Sequence, residues 1–171
     1  MKKSLYLCCF VLLFASAAKS QTGDARYKAA PQDLSAGLPV KKPANDLIEF
    51  AKKMIGIPYR YASSNPAIGF DCSGFVSYVF RNFGISTPRS SAEFSVAGTQ
   101  VKLSEVKVGD VLVFTGSNAR IRRAGHVGIV ASITGDSIQF IHSTSGKMHG
   151  VTITPLNAYY RSRFIKAVSM L

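Results

Sequence analysis

The 171-residue chain has no tryptophan, three cysteines, three histidines and nine acidic residues against 21 lysines and arginines. Each scarcity excludes something. Three cysteines are too few for a disulfide-dense scaffold. No Cys-x-x-Cys or His-x-x-x-His pair is present, so a zinc site is not expected either. The shortage of acids leaves a formal net charge of +12, which suits an anionic polymer as partner. No internal repeat is visible, so solenoid folds are excluded. What remains is ordinary for one globular domain: 47% of the residues are apolar, enough to build a single core.

The first twenty residues do not read as part of that domain. Met1-Lys2-Lys3 is a short basic start, and residues 5–18 are an apolar run of signal-peptide length. Ala18-x-Ser20 is a small-x-small pattern that favours a cut before Gln21, with cuts after Ala17 or Ala18 as close alternatives. The run is shorter than the roughly 20 residues of a comfortable span, so cleavage is expected rather than an uncleaved anchor, with export to the periplasm or cell envelope. Cys8 and Cys9 lie near the start of the run, which is the wrong place for a lipoprotein cysteine. Removing residues 1–20 takes away Lys2, Lys3 and Lys19, leaving a net charge of about +9. Export argues against nucleic acid as the working partner. It also leaves Cys72 as the one remaining cysteine. In an oxidising compartment such a residue is a buried bystander, an intermolecular link or a reactive thiol.

Residues 21–43 are polar, with Pro31, Gly37, Pro39 and Pro43, and read as a flexible lead-in. The domain, residues 44–171, then opens with a helix over 47–54, capped by Asn45 or Asp46 and stopped at Gly56. Residues 58–69 read as loop. A second helix is expected from Cys72 to about Asn82, with Asp71 as N-cap, Phe75, Tyr78, Val79 and Phe83 as its apolar side, and Gly84 beyond its end. Residues 85–109 look irregular, apart from a short helix at 91–96. Five short apolar segments follow, over 111–114, 127–131, 138–142, 151–154 and 164–168. A turn at Thr134-Gly135-Asp136-Ser137 links the second to the third. Helices first and strands afterwards predict an α+β fold, with the N-terminal helices packed on a C-terminal antiparallel sheet.

A thiol attacks as thiolate. Cys72 would open a helix, where the dipole and free backbone N–H groups favour an anion. The second device that activates a cysteine is a nearby histidine. His126, in Gly125-His126-Val127-Gly128, starts one strand, and the glycines flanking it allow close approach of another element. His142 ends the next strand, and a hairpin at Gly135 would make the two cross-strand neighbours. One can then act as base and the other orient it. His149 lies in a turn and reads as a solvated loop residue.

The ordered segments Gly56-Ile57-Pro58-Tyr59-Arg60-Tyr61, Gly69-Phe70-Asp71-Cys72-Ser73-Gly74-Phe75-Val76, Pro88-Arg89-Ser90-Ser91-Ala92, Val108-Gly109-Asp110-Val111-Leu112-Val113-Phe114 and Gly125-His126-Val127-Gly128-Ile129-Val130 resemble the NlpC-type cell-wall peptidases. These are papain-like cysteine hydrolases of the bacterial envelope. The resemblance spans residues 45–168. It implies Cys72 as nucleophile, His126 as base and His142 as the polar third member. It also implies Tyr59, Asp71 and Ser73 as residues that line the substrate site. The implied substrate is the stem peptide of peptidoglycan, cut between γ-linked D-glutamate and the diamino acid after it, with no metal or organic cofactor. An amidase or acyltransferase of the same fold is the alternative enzyme, and a wall-binding module without catalysis is the non-enzymatic one. Two departures stand out. Ala62-Ser63 occupies the place where the family often carries Gly-Gly. Residues 115–124, with Arg120, Arg122 and Arg123, make a long basic approach to His126, expected to contact carboxylates of the stem.

Overall fold

The computed structural model describes residues 43–171. The expected signal peptide and nearly all of the lead-in lie outside the described residues. Helix α1 spans Pro43–Lys52. It starts earlier than the capping pattern implied, because proline suits the first helical position, and Asn45 and Asp46 fall inside its first turn. Leu47, Ile48 and Ala51 are buried along one side. Gly56 follows the helix with φ +89°, a conformation that favours glycine.

The loop expected over 58–69 carries a two-stranded ribbon, β1 (Ser64–Asn65) with β2 (Gly69–Phe70). Helix α2 spans Cys72–Arg81. It is the central helix, buried at every position from Cys72 to Ser77 and at Val79 and Phe80. Its burial therefore runs most of the way round rather than along the one side expected. Phe75 and Phe80 are wholly enclosed, each contributing about 2–3 kcal/mol of apolar burial. Gly74 explains how the ribbon comes so close: a Cβ there would collide with the Ser63 carbonyl oxygen. Helix α3 is a single turn, Ser91–Phe94, held by a Ser90–Glu93 capping box.

The remaining strands form one antiparallel sheet. They are β3 (Thr99–Val101), β4 (Val111–Thr115), β5 (Ala124–Thr134), β6 (Ser137–Thr144), β7 (Gly150–Pro155) and β8 (Phe164–Ser169), in the order β3-β8-β4-β5-β6-β7. The five expected segments are all strands. β3 was not legible in the irregular stretch, and neither was α4 (Ala158–Arg163), which lies before the last strand. β4 is buried at all five positions, because each face of the sheet carries its own core. Val111, Val113, Val127, Ile129, Ile141 and Val151 pack with α1 and α2. Leu112, Phe114, Val130, Phe140 and Ala167 form a second cluster, flanked by Tyr160 of α4. Burial on both faces reads in sequence as an unbroken apolar run. Among the described residues no helix is long and apolar enough to cross a membrane.

Candidate active site

Cys72 is the first residue of α2. Asp71 caps that helix, its Oδ1 accepting from the Gly74 N–H at 2.6 Å. The same carboxylate receives Arg89 through two bonds, Nη1 to Oδ1 at 2.9 Å and Nη2 to Oδ2 at 2.7 Å. Ser73 Oγ donates to Asp71 Oδ1 at 3.0 Å and accepts from Arg89 Nη1 at 3.1 Å. A cap, a serine and an arginine from a distant loop thus fix the angle at which α2 presents Cys72. Asp71 and Ser73, expected beside the substrate, line a cavity there, and they are also the internal fastening of the helix start.

Cys72 is 9% exposed. Its position in sequence points to a lowered thiol pKa, and burial reverses this. Desolvation pushes the thiol up and the neighbouring Asp71 carboxylate adds to the rise. Backbone N–H groups of Val127, Ser73 and Cys72 itself oppose it. The helix start does favour the anion, and loss of water outweighs it.

His126 lies near the start of β5, opposite Phe114 of β4. Its Nε2 is 2.8 Å from His142 Nδ1 on β6. The two histidines are not directly opposite each other. The hairpin register runs through Ile129 with Ile141, so His142 lies against Gly128, where an added Cβ would stand 3.0 Å from its Cβ. His126 meets His142 on the diagonal, two residues along the strand. The absent side chain at Gly128 gives His142 its place, which is the close approach that the flanking glycines implied. His142 Nε2 is 2.9 Å from Thr154 Oγ1 of β7, extending the chain of contacts to a third strand. Burial brings the His126 pKa down to about 4. His142, fully enclosed, is pushed down by burial and then by His126. Both imidazoles are therefore held neutral.

Cys72 and His126 line one cavity of about 300 Å³, together with Tyr59, Thr115, Gly116, Ser117, Gly125, Thr144, Tyr160 and Arg163. A second cavity, lined by Tyr59, Tyr61, Asp71, Cys72, Ser73, Arg89 and Gly125, also borders the thiol. Tyr59, Cys72 and Gly125 border both. Tyr59 keeps its proton, since burial and then the nearby Cys72 and Asp71 raise its pKa. Ala62 at the rim of the second cavity holds φ +57°. That is the left-handed region, which glycine adopts more readily than alanine.

The remaining candidates are placed elsewhere. His149 is exposed, in a turn whose carbonyl accepts from the Tyr59 N–H at 3.0 Å. Arg120, Arg122 and Arg123 line neither cavity. Arg122 instead donates to the carbonyl oxygens of Ser162 and Phe164, because these acceptors are left open where α4 ends. The loop reaches the cavity through Thr115–Ser117, and the cation there is Arg163. Thr154 and Arg163 were missed in sequence. The polar alternation Thr152-x-Thr154 in a strand beside His142 was the only available signal for Thr154, and Arg163 gave none.

Residues 56–169 match the family model described as the NlpC/P60 family. The chain belongs to the NlpC/P60 family. It is 38% identical over 119 residues to a γ-DL-glutamyl hydrolase of Bacillus subtilis, the match covering 68% of this chain and 27% of that one. It is 36% identical over 114 residues to a γ-D-glutamyl-L-lysine dipeptidyl-peptidase of Bacillus cereus, covering 67% of this chain and 32% of the other. The chain thus spans about a third or less of these curated relatives. The solved NlpC/P60 domain of the peptidoglycan hydrolase SagA superposes with a TM-score of 0.58 at 30% identity, over 74% of this chain and 97% of that one. The α+β, papain-like NlpC/P60 fold is therefore that of this protein.

Proposed function

We propose that this protein is a peptidoglycan hydrolase that cuts stem peptides by thiol acyl transfer, at the bond between γ-linked D-glutamate and the diamino acid after it. The observation that carries the proposal is the shared cavity of Cys72 and His126, with His142 and Thr154 hydrogen-bonded in series behind His126. The names of the relatives support the substrate: two act on γ-glutamyl bonds and one is a peptidoglycan hydrolase. The basic net charge suits an anionic wall polymer. Residues 1–20 are proposed to act as an export signal, which would deliver the enzyme to the envelope.

The mechanism follows from proton positions. A neutral imidazole has one N–H and one lone pair. If His142 donates Nε2–H to Thr154 Oγ1, its Nδ1 is an acceptor, and His126 then donates Nε2–H to it. That leaves the lone pair of His126 on Nδ1, free to take the Cys72 proton. Burial favours the neutral form of both partners, so the proton moves as the thiol attacks rather than beforehand. Sulfur adds to the γ-carbonyl carbon. Backbone N–H groups at the start of α2, with the Tyr59 hydroxyl, receive the oxyanion. His126 returns the proton to the leaving amine, and water then releases the acyl group from Cys72. His142 and Thr154 are positioning residues in this scheme.

The two cavities divide the substrate. The leaving amine must face the acid that protonates it, and His126 lines the cavity of Thr115, Tyr160 and Arg163. The acyl part, ending in γ-glutamate, occupies the cavity of Tyr59, Asp71, Ser73 and Arg89. Digestion of defined muropeptides followed by product mass tests the reading. Fragments split after γ-D-glutamate are expected. Release of intact stems from the sugar, or no change in mass with retained wall binding, would replace it with the amidase or the binding-module reading.

A further inference from the structure

The cavity that holds His126 has a cation which the reaction above does not use. Arg163 is the last residue of α4. Its Nη1 donates to the Gly116 carbonyl oxygen at 3.3 Å and to the Ser117 carbonyl oxygen at 3.0 Å. Its Cζ lies 4.2 Å from the centroid of the Tyr159 ring. The guanidinium is therefore pinned by one corner and laid on an aromatic face. Arg122, bonded to the carbonyl oxygens on either side of it, secures the helix end that carries it.

The opposite edge of the same guanidinium is unused. Arg163 Nε is buried without a hydrogen-bond partner, the one such side-chain atom among the described residues. Nε and Nη2 together form the side-on edge that takes a carboxylate through two parallel hydrogen bonds. A buried donor without an acceptor is costly, and an acceptor brought by a ligand removes that cost. The wall around it is hydroxyl-rich, with Thr115, Ser117 and Tyr160. No aspartate or glutamate lines this cavity to compete for the cation.

We infer that Arg163 receives a carboxylate borne by the residue after the scissile bond, an inference that rests on the hydrolase reading above. The side of the bond follows from His126, which lines this cavity and not the one holding Arg89. Two sources carry that chemistry. A diamino acid with a second carboxylate presents it on its side chain, and a stem ending at that residue presents its free α-carboxylate. A lysine side chain brings only an ammonium, which the guanidinium repels.

Calorimetric titration of the full chain carrying Cys72→Ala separates the sources. The probes are L-alanyl-γ-D-glutamyl-L-lysinamide, the same peptide with a free lysine carboxylate, and the diaminopimelate peptide with its α-carboxylate amidated. At least one carboxylate-bearing probe is expected to bind roughly tenfold or more tightly than the lysinamide, the scale of a charge-assisted pair. Arg163→Gln in the same background is expected to bring all three within about twofold of one another. Arg163→Lys, which keeps charge but lacks the side-on edge, is expected to lose most of the preference and serves if the glutamine variant melts early. Equal affinities in the Arg163 chain, binding of no probe, or a preference that survives both variants overturns the inference. A merely structural Arg163 would weaken all three probes alike, which also overturns it. Failure of the hydrolase reading looks different: the Arg163-dependent preference is present, yet the chain with Cys72 intact leaves every probe uncut.

Discussion

Replacing Thr154 with valine removes one hydroxyl at nearly constant volume, and its effect can be worked from three atoms. His142 is fully enclosed, with Nδ1 2.8 Å from His126 Nε2 and Nε2 2.9 Å from Thr154 Oγ1. In Thr154→Val the Nε2–H of His142 has no acceptor, at about 1–3 kcal/mol. Moving the proton to His142 Nδ1 avoids that cost. The bond to His126 then reverses, and His126 must carry its own proton on Nδ1, the nitrogen that has to be bare. The working tautomer is disfavoured by the same energy, so kcat/KM should fall roughly 5- to 150-fold. Stability should fall by only about 1 kcal/mol, since one hydrogen bond is lost and no cavity opens. Thr154→Ser should restore activity. The assay is kcat/KM on a defined stem peptide beside a urea melt. Activity of Thr154→Val within about twofold of the parent would refute the tautomer reasoning, and so would equal loss in Thr154→Ser.

Asp71→Ala should destabilise the fold by about 2–3 kcal/mol: about 1 for the lost helix cap and the rest for the Arg89 pair, discounted because the arginine side chain is 42% exposed. Urea unfolding measures it, and a change under about 0.5 kcal/mol would remove Asp71 from the fastening of α2. The two histidines also set a pH dependence. Their pKa values are depressed in the folded chain, to about 4 for His126, whereas the unfolded chain takes up protons near 6.5. Stability is therefore complete above about pH 6.5 and is lost as pH falls towards the folded values, by about 3 kcal/mol for the two together between pH 6.5 and 5. Urea midpoints at pH 7 and pH 5 check the sign, and a chain as stable at pH 5 would show that the pair is not held neutral.

What was legible in the sequence was local. Asp71 before a helical run marked a cap, and glycine-bounded apolar segments marked strands. The lone Cys72 with two strand-borne histidines marked the site. What was not legible depended on register and on distant partners. The diagonal meeting of His126 with His142 is fixed by Gly128 and by a bulge further along the hairpin, neither of which period-two counting predicts. Arg120, Arg122 and Arg123 looked like substrate contacts because a basic loop before His126 suggests one. Arg122 is instead taken up by carbonyls some forty residues away. Arg163 belongs to α4, a six-residue helix too short to show a period. The raised thiol pKa is illegible for a related reason: the helix start is written in the sequence, whereas the burial that outweighs it comes from tertiary packing.

The most direct test of the central claim is the mass of the protein itself during turnover. The chain is mixed with L-alanyl-γ-D-glutamyl-diaminopimelate, quenched in acid and digested, and the peptide containing Cys72 is weighed. The account predicts an L-alanyl-γ-D-glutamyl adduct on that peptide, with none on the Cys72→Ala chain, which also fails to cleave. Hydrolysis that persists in Cys72→Ala, with no adduct on the parent, would contradict it.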